Sequence, residues 1–192
     1  MTELTSYKLT DSGNAALIAD NSKGRDLYDT DLKQILFYNG KYWEPDKENF
    51  IYQEGINTFR EQQLKCLKIE DPDIRSKFIK HYISSENYSR LNAAIKILQT
   101  IPGIAVRNNI FDRNDILFNT PNCTIELTKK YARPHDKNDY ITRMANVNYD
   151  PEAKCPVFEK FLNDIFDSNP NLIEHEQRKL GYFLSGLTSE QK

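Results

Sequence analysis

Asp112, Asp115, Glu126 and Lys129 are the residues of this sequence whose types could assemble a hydrolytic metal site. Carboxylates on neighbouring strands can hold a divalent ion with a lysine close by, the arrangement of a metal-dependent nuclease. The familiar spacing is acid-x-Lys, which puts both side chains on one strand face. Glu126 and Lys129 are three positions apart, so on a single strand they point to opposite faces, which counts against the nuclease reading. No GxxxxGK[ST] phosphate loop occurs, and no GxGxxG, HExxH or GxSxG. His81, His135 and His175 lie far apart and read as surface or packing histidines. Cys66, Cys123 and Cys155 are odd in number and form no CxxC, which argues against a disulfide framework or zinc ribbon and predicts buried free thiols in a reducing cytoplasm. The expectation is a chain with no catalytic residue, no metal ligand and no cofactor of its own.

A second constellation suits binding. Lys129, Lys130, Arg133, His135, Lys137 and Arg143 fall within fifteen residues, interleaved with Tyr131 and Tyr140. Cations for phosphates and aromatic rings for base stacking are the ingredients of single-strand recognition. Lys129, Lys130, Tyr131, Arg133, Lys137, Tyr140 and Arg143 are therefore the candidate DNA-binding residues. Asp136 and Asp139 dilute the charge, and a solvated loop between strands is the competing reading. With 26 basic and 28 acidic residues the net charge is −2, so a nucleic-acid role has to rest on a local patch. Lys77, Lys80, Arg90 and Lys96 read as solvent faces of helices.

The elements that must position these residues follow from periodicity. Eleven Tyr and ten Phe in 192 residues give enough aromatic content for a packed core. No run approaches the roughly 18 apolar residues of a membrane span, and Met1 to Thr5 lack the basic head and apolar core of a secretory signal. A short helix is predicted through Ala15 to Ile18, with Asp11 or Asn14 as its cap. Gln34 to Tyr38 and Lys41 to Trp43 form a hairpin around Asn39-Gly40. Three helices follow. Tyr52, Ile56 and Phe59 mark the first. The second begins at Asp71-Pro72 and carries Ile74, Phe78 and Tyr82. The third is capped by Ser84 or Ser85 and carries Leu91, Ala94, Ile95 and Leu98 until Pro102-Gly103 ends it. Short strands are expected at Ile116 to Phe118, Thr124 to Leu127 and Ile141 to Met144. Two amphipathic stripes close the chain, Phe158, Phe161, Leu162 and Ile165, then Leu180, Phe183, Leu184 and Leu187, the second read as a packed helix. The fold class is α+β, mainly helical with short antiparallel hairpins, divided as 1–150 and a C-terminal helical unit at 151–192.

Several strings resemble one family. Gly181-Tyr182-Phe183-Leu184-Ser185-Gly186, within a tail that runs to Lys192, resembles the segment ahead of the Walker strand of superfamily 3 helicases in phage and plasmid primases and in the poxvirus primase-helicase. Tyr149-Asp150-Pro151, Ala153, Cys155-Pro156, Phe158 and Phe161-Leu162 resemble a second segment of the same family. Phe111-Asp112, Leu117, Asn119, Asn122 and Leu127 resemble a third. Asp11, Gly13-Asn14-Ala15, Asn39-Gly40-Lys41 and Trp43 resemble its opening. Cys123 stands where the family usually has Gly, and Glu126 where it has Asp, which puts a tight positive-φ turn at Asn122-Cys123 in question. The resemblance implies an accessory domain of a mobile-element replication primase-helicase, which supports helicase assembly and DNA engagement. It makes Trp43, Asn119 and Pro156 packing and turn residues. It also implies a helicase motor in cis beginning soon after Lys192, using ATP and Mg and forming a hexamer. Single-stranded or forked DNA and a primase are the expected partners, with no membrane, and the chain alone is expected to be a monomer or weak oligomer. A stand-alone nucleic-acid- or protein-binding adaptor without a motor is the alternative.

Overall fold

The computed structural model describes residues 6–189; Met1 to Thr5 and Glu190 to Lys192 of the tail string lie outside the described residues. The chain divides into two compact units, one made of the chain up to Asn39 with Trp43–Ile110, the other of Gly40–Tyr42 and the chain from Phe111 onward. The first holds α1 (Asp11–Asn21), β1 (Asp26–Asp29), β2 (Gln34–Tyr38), β3 (Trp43–Pro45), α2 (Phe50–Cys66), α3 (Pro72–Ser85), α4 (Tyr88–Leu98) and β4 (Ala105–Val106). The second holds β5 (Leu117–Asn119), β6 (Thr124–Glu126), β7 (Tyr131–Arg133), α5 (Pro156–Ile165) and α6 (Pro170–Phe183). The chain is thus α+β, largely helical with short hairpins and a helical C-terminus.

In the first unit, α1 to α4 enclose a core of Leu17, Ile18, Phe59, Tyr82, Leu91, Ile95 and Leu98. The stripe Leu91, Ala94, Ile95 and Leu98 is buried along α4, as its 3.6-residue period requires. On α2 the deepest line is Ile51, Gly55, Thr58, Phe59, Gln62 and Cys66; Tyr52 and Ile56 flank it, half-buried. Gly55 belongs to that line because Leu91 packs where its side chain would be. The cap of α1 is Thr10, not Asp11 or Asn14, since Thr10 is extended and its hydroxyl accepts the Gly13 N–H. Asp71 caps α3 through the Asp73 and Ile74 N–H groups, with Pro72 in the first turn. Ser84 and Ser85 do not cap α4; they complete α3, and the chain breaks at Glu86-Asn87.

Asn14 is buried instead. Its amide nitrogen donates to Ser85 Oγ at 3.0 Å and its Oδ1 lies 2.9 Å from His81 Nε2, so α1 is pinned to α3 by a polar network. Burial, then the charge of Arg90, pushes the His81 pKa below its ordinary 6.5, against a smaller opposing pull from Asp11. The folded state therefore holds His81 neutral while the unfolded chain takes the proton first. Its contribution to stability is full above pH 6.5 and is lost as pH falls below that value. Urea midpoints at pH 7.5 and pH 5 should drop more for the wild type than for His81→Gln.

The sheet of this unit has the order β3-β2-β1-β4, with β4 parallel to β1 and the other pairs antiparallel. Tyr38 pairs with Trp43, so the hairpin loop is Asn39 to Tyr42 and the second strand starts at Trp43, two residues later than expected. Gly40 alone in this loop takes positive φ, +95°, and Asn39 does not, so the two-residue primed turn that Asn-Gly suggests is not formed. Trp43 is buried beside Tyr38, a packing residue. Cys66 and Cys123 are buried free thiols; Cys155 departs from expectation and is exposed.

Candidate nucleic-acid interface

The basic stretch sits on a three-stranded antiparallel sheet of the second unit, order β5-β6-β7. Asn119 pairs with Thr124, leaving a four-residue loop, Thr120 to Cys123. Thr120 N–H and Oγ1 both reach the Cys123 carbonyl, at 2.9 and 2.8 Å. Cys123 keeps negative φ, so the loop needs no glycine there. Asn122 uses its side chain to clamp the backbone at Tyr149, donating to its carbonyl at 2.8 Å and accepting its N–H at 2.9 Å.

Asn119 is the hub of the sheet. Its Nδ2 donates to the carbonyls of Lys41 and Arg143, and its Oδ1 accepts from Thr124 Oγ1 at 3.0 Å and faces His135 Nδ1 at 3.0 Å. The Ala145 N–H meets the Asn119 carbonyl, and the Thr142 N–H meets Asp112 Oδ1. The polar groups of 142–145 are thus taken by side chains and by the end of β5, which is why Ile141 to Met144 is not the strand its composition suggests.

The nuclease candidates do not converge. Asp112 holds both the N–H and the hydroxyl of Thr142. Glu126 meets Lys129 Nζ at 2.8 Å. The strand argument for opposite faces fails, because β6 ends at Glu126 and the chain turns before Lys129, bringing the two together as an ion pair. Among the described residues no group of three or more His, Cys, Asp or Glu is placed to hold a metal ion.

Of the seven binding candidates, Lys129 and Lys130 lie on the β6–β7 turn and Tyr131 opens the edge strand β7. All three are exposed, Tyr131 by 57%. Lys130 adopts φ +50°, a left-handed position that lets the turn close. Arg133 is committed elsewhere. It forms a two-pronged pair with Asp139 at 2.6 and 2.8 Å, and that hydrogen bonding holds its guanidinium above the ordinary range. Tyr140 takes φ +51° and its ring meets Phe111 edge-on at 6.0 Å, a packing role. Lys137 opens a 3-10 turn capped by Asp136. Arg143 is exposed and lines a cleft of about 570 Å³ with Asp115, Phe118 and Met144, whereas Lys130 lines another, of about 430 Å³, with Ile125, Leu127 and Tyr149. The structure gathers Lys129, Lys130 and Tyr131 and leaves Arg143 on a different cleft.

The C-terminal stripes are amphipathic but not packed as expected. Leu162 is buried, while Val157, Phe161, Ile165, Leu172, Phe183, Leu184 and Leu187 stay exposed. α6 ends at Phe183, so Leu184 and Leu187 fall past the helix and its stripe cannot continue through them. Pro156 occupies the first turn of α5, the turn role expected of it. Gly186 donates its N–H to the Asp115 carbonyl at 2.8 Å, and a Cβ there would lie 2.7 Å from Asp115 Oδ1. Asp115 and Gly186 are 71 positions apart, and no local signal in the sequence joins them.

No curated protein matches the chain. The family model described as "D5 N terminal like" matches residues 15–167, well over half of the sequence, and the match includes the sheet that carries the basic turn. The chain belongs to the D5 N-terminal-like family, the N-terminal domain of D5-like primase-helicases.

Proposed function

We propose that the chain is an accessory domain of a phage or plasmid replication primase-helicase, without catalysis of its own, which engages single-stranded DNA through the β6–β7 turn. The observation that carries this reading is the exposed group Lys129, Lys130 and Tyr131 on the edge of a sheet, an unpacked ring beside two cations, of which Lys129 holds only a solvent-exposed pair with Glu126. Lys137, on its 3-10 turn, and Arg143, on the neighbouring cleft, would be secondary contacts apart from this turn. Arg133 and Tyr140 support it from within. The motor in cis, using ATP and Mg, and a primase partner belong to this reading, and the exposed apolar residues of α5 and α6 favour a protein contact during helicase assembly.

Tyr131 tests the DNA arm. Tyr131→Leu keeps an apolar side chain on β7 but removes the aromatic face. Base stacking contributes about 1–3 kcal/mol per base, so affinity for a single-stranded oligonucleotide should fall about fivefold or more, with its salt dependence unchanged. Equal affinity for single strands would remove Tyr131 from the interface.

A further inference from the structure

The first unit carries a cleft of about 290 Å³ whose walls are partly aromatic and whose floor is acidic. Asp26, at the start of β1, is 4% exposed, lines this cleft, and its Oδ2 receives no hydrogen bond from any described group. Its charged neighbours are Arg25, just before β1, and Glu54 on α2, and its carboxyl group lies within hydrogen-bonding reach of Glu54 and of Ser22. Arg25 reaches Glu54 at 3.1 Å from the solvent side, with a side chain more than half exposed. Asp46, also on the wall, is committed to the N–H groups of Phe50 and Ile51 at the start of α2. Phe37 pairs with Asp26 across the β1–β2 ladder, and its ring meets Phe50 edge-on at 5.6 Å. A buried carboxylate with an unused oxygen, a second carboxylate beside it and aromatic walls fit a cation with an apolar stem. Among the described residues no three acidic, His or Cys side chains converge as metal ligands, and the aromatic walls suit an organic cation better than a hydrated ion.

We propose that this cleft binds an alkylammonium group, the charged head between Asp26 and Glu54 and the methylenes along Phe37 and Phe50. A lysine side chain of a partner protein or a free aliphatic amine would supply it. A proton occupies the same place in the empty cleft. Burial, then the negative charge of Glu54, raises the Asp26 pKa to about 7, while Arg25 opposes the shift. Binding of the ammonium group therefore expels that proton. Apparent affinity should fall by roughly tenfold per pH unit below pH 7.

The test is an amide-resolved NMR titration of the full chain with n-butylammonium chloride at pH 8 and pH 6, against sodium chloride at equal ionic strength. The expected result is saturable shifts at Asp26, Leu27 and Glu54, weaker at pH 6 by about tenfold. They should weaken at least tenfold in Asp26→Asn and severalfold in Glu54→Gln, which sits nearer the surface and tolerates change. Parallel titrations with 1,4-diaminobutane and with Nα-acetyl-lysine N-methylamide distinguish a free amine from a protein lysine as the source. Shifts that match sodium chloride, or binding that is unchanged in both variants or between the two pH values, would overturn the site.

Discussion

Phe59→Ala is expected to destabilise the first unit by about 3–5 kcal/mol, the range for deleting a buried aromatic ring. Phe59 has no exposed surface, stacks at 6.3 Å against the equally buried Tyr82, and ties α2 to α3. A small domain has about 5–15 kcal/mol of stability in total, so the variant should be partly unfolded near physiological temperature. Urea denaturation reads the effect directly. Phe59→Leu, which refills most of the volume, should recover most of the loss. A change below about 1 kcal/mol for the alanine variant would contradict the burial that defines this core.

Gly13→Ala should also destabilise, against the usual rule. Alanine inside a helix normally gains about 0.5–1 kcal/mol over glycine. Here a Cβ at position 13 would lie 1.9 Å from the Lys8 carbonyl oxygen and 2.8 Å from its carbon, both backbone atoms. The segment before α1 would have to move, which breaks the Thr10 cap on Gly13 N–H and disturbs the neighbouring Asn14 network. Overpacking of this kind costs about 1–3 kcal/mol, enough to reverse the sign. A thermal melt in which Gly13→Ala is more stable than wild type would contradict the close approach of the Lys8 backbone to α1.

The helices were legible where one face is buried. Leu91, Ala94, Ile95 and Leu98 repeat at helical spacing and meet a single core, so pattern and packing agree. Asp71-Pro72 was legible because the cap and the first-turn proline act within a few residues. β1 and β4 were not. Asp26–Asp29 carries two acids in four residues, and its strand form depends on a ladder with β2 and a parallel partner far along the chain. The hairpin is legible at Asn39-Gly40, but its loop is longer than that dipeptide implies, since pairing of Tyr38 with Trp43 outweighs the local turn preference. The basic stretch was legible as composition. Its partition was not, because whether an arginine is free for phosphate depends on an acid such as Asp139 being brought within reach of it. The polar hub at Asn119 was legible only as a family string, since its four partners come from positions 41, 124, 135 and 143.

Fluorescence anisotropy of a labelled single-stranded oligonucleotide, titrated with wild type and with the Lys129→Glu/Lys130→Glu double variant across a salt series, tests the account at its centre. Each phosphate contact contributes about 0.7 to the slope of log K against log salt for single strands. The double variant should bind at least about tenfold more weakly at low salt, with a slope flatter by about 1.4. An unchanged affinity and slope would show that the β6–β7 turn is a solvated loop and that DNA, if bound, is held elsewhere.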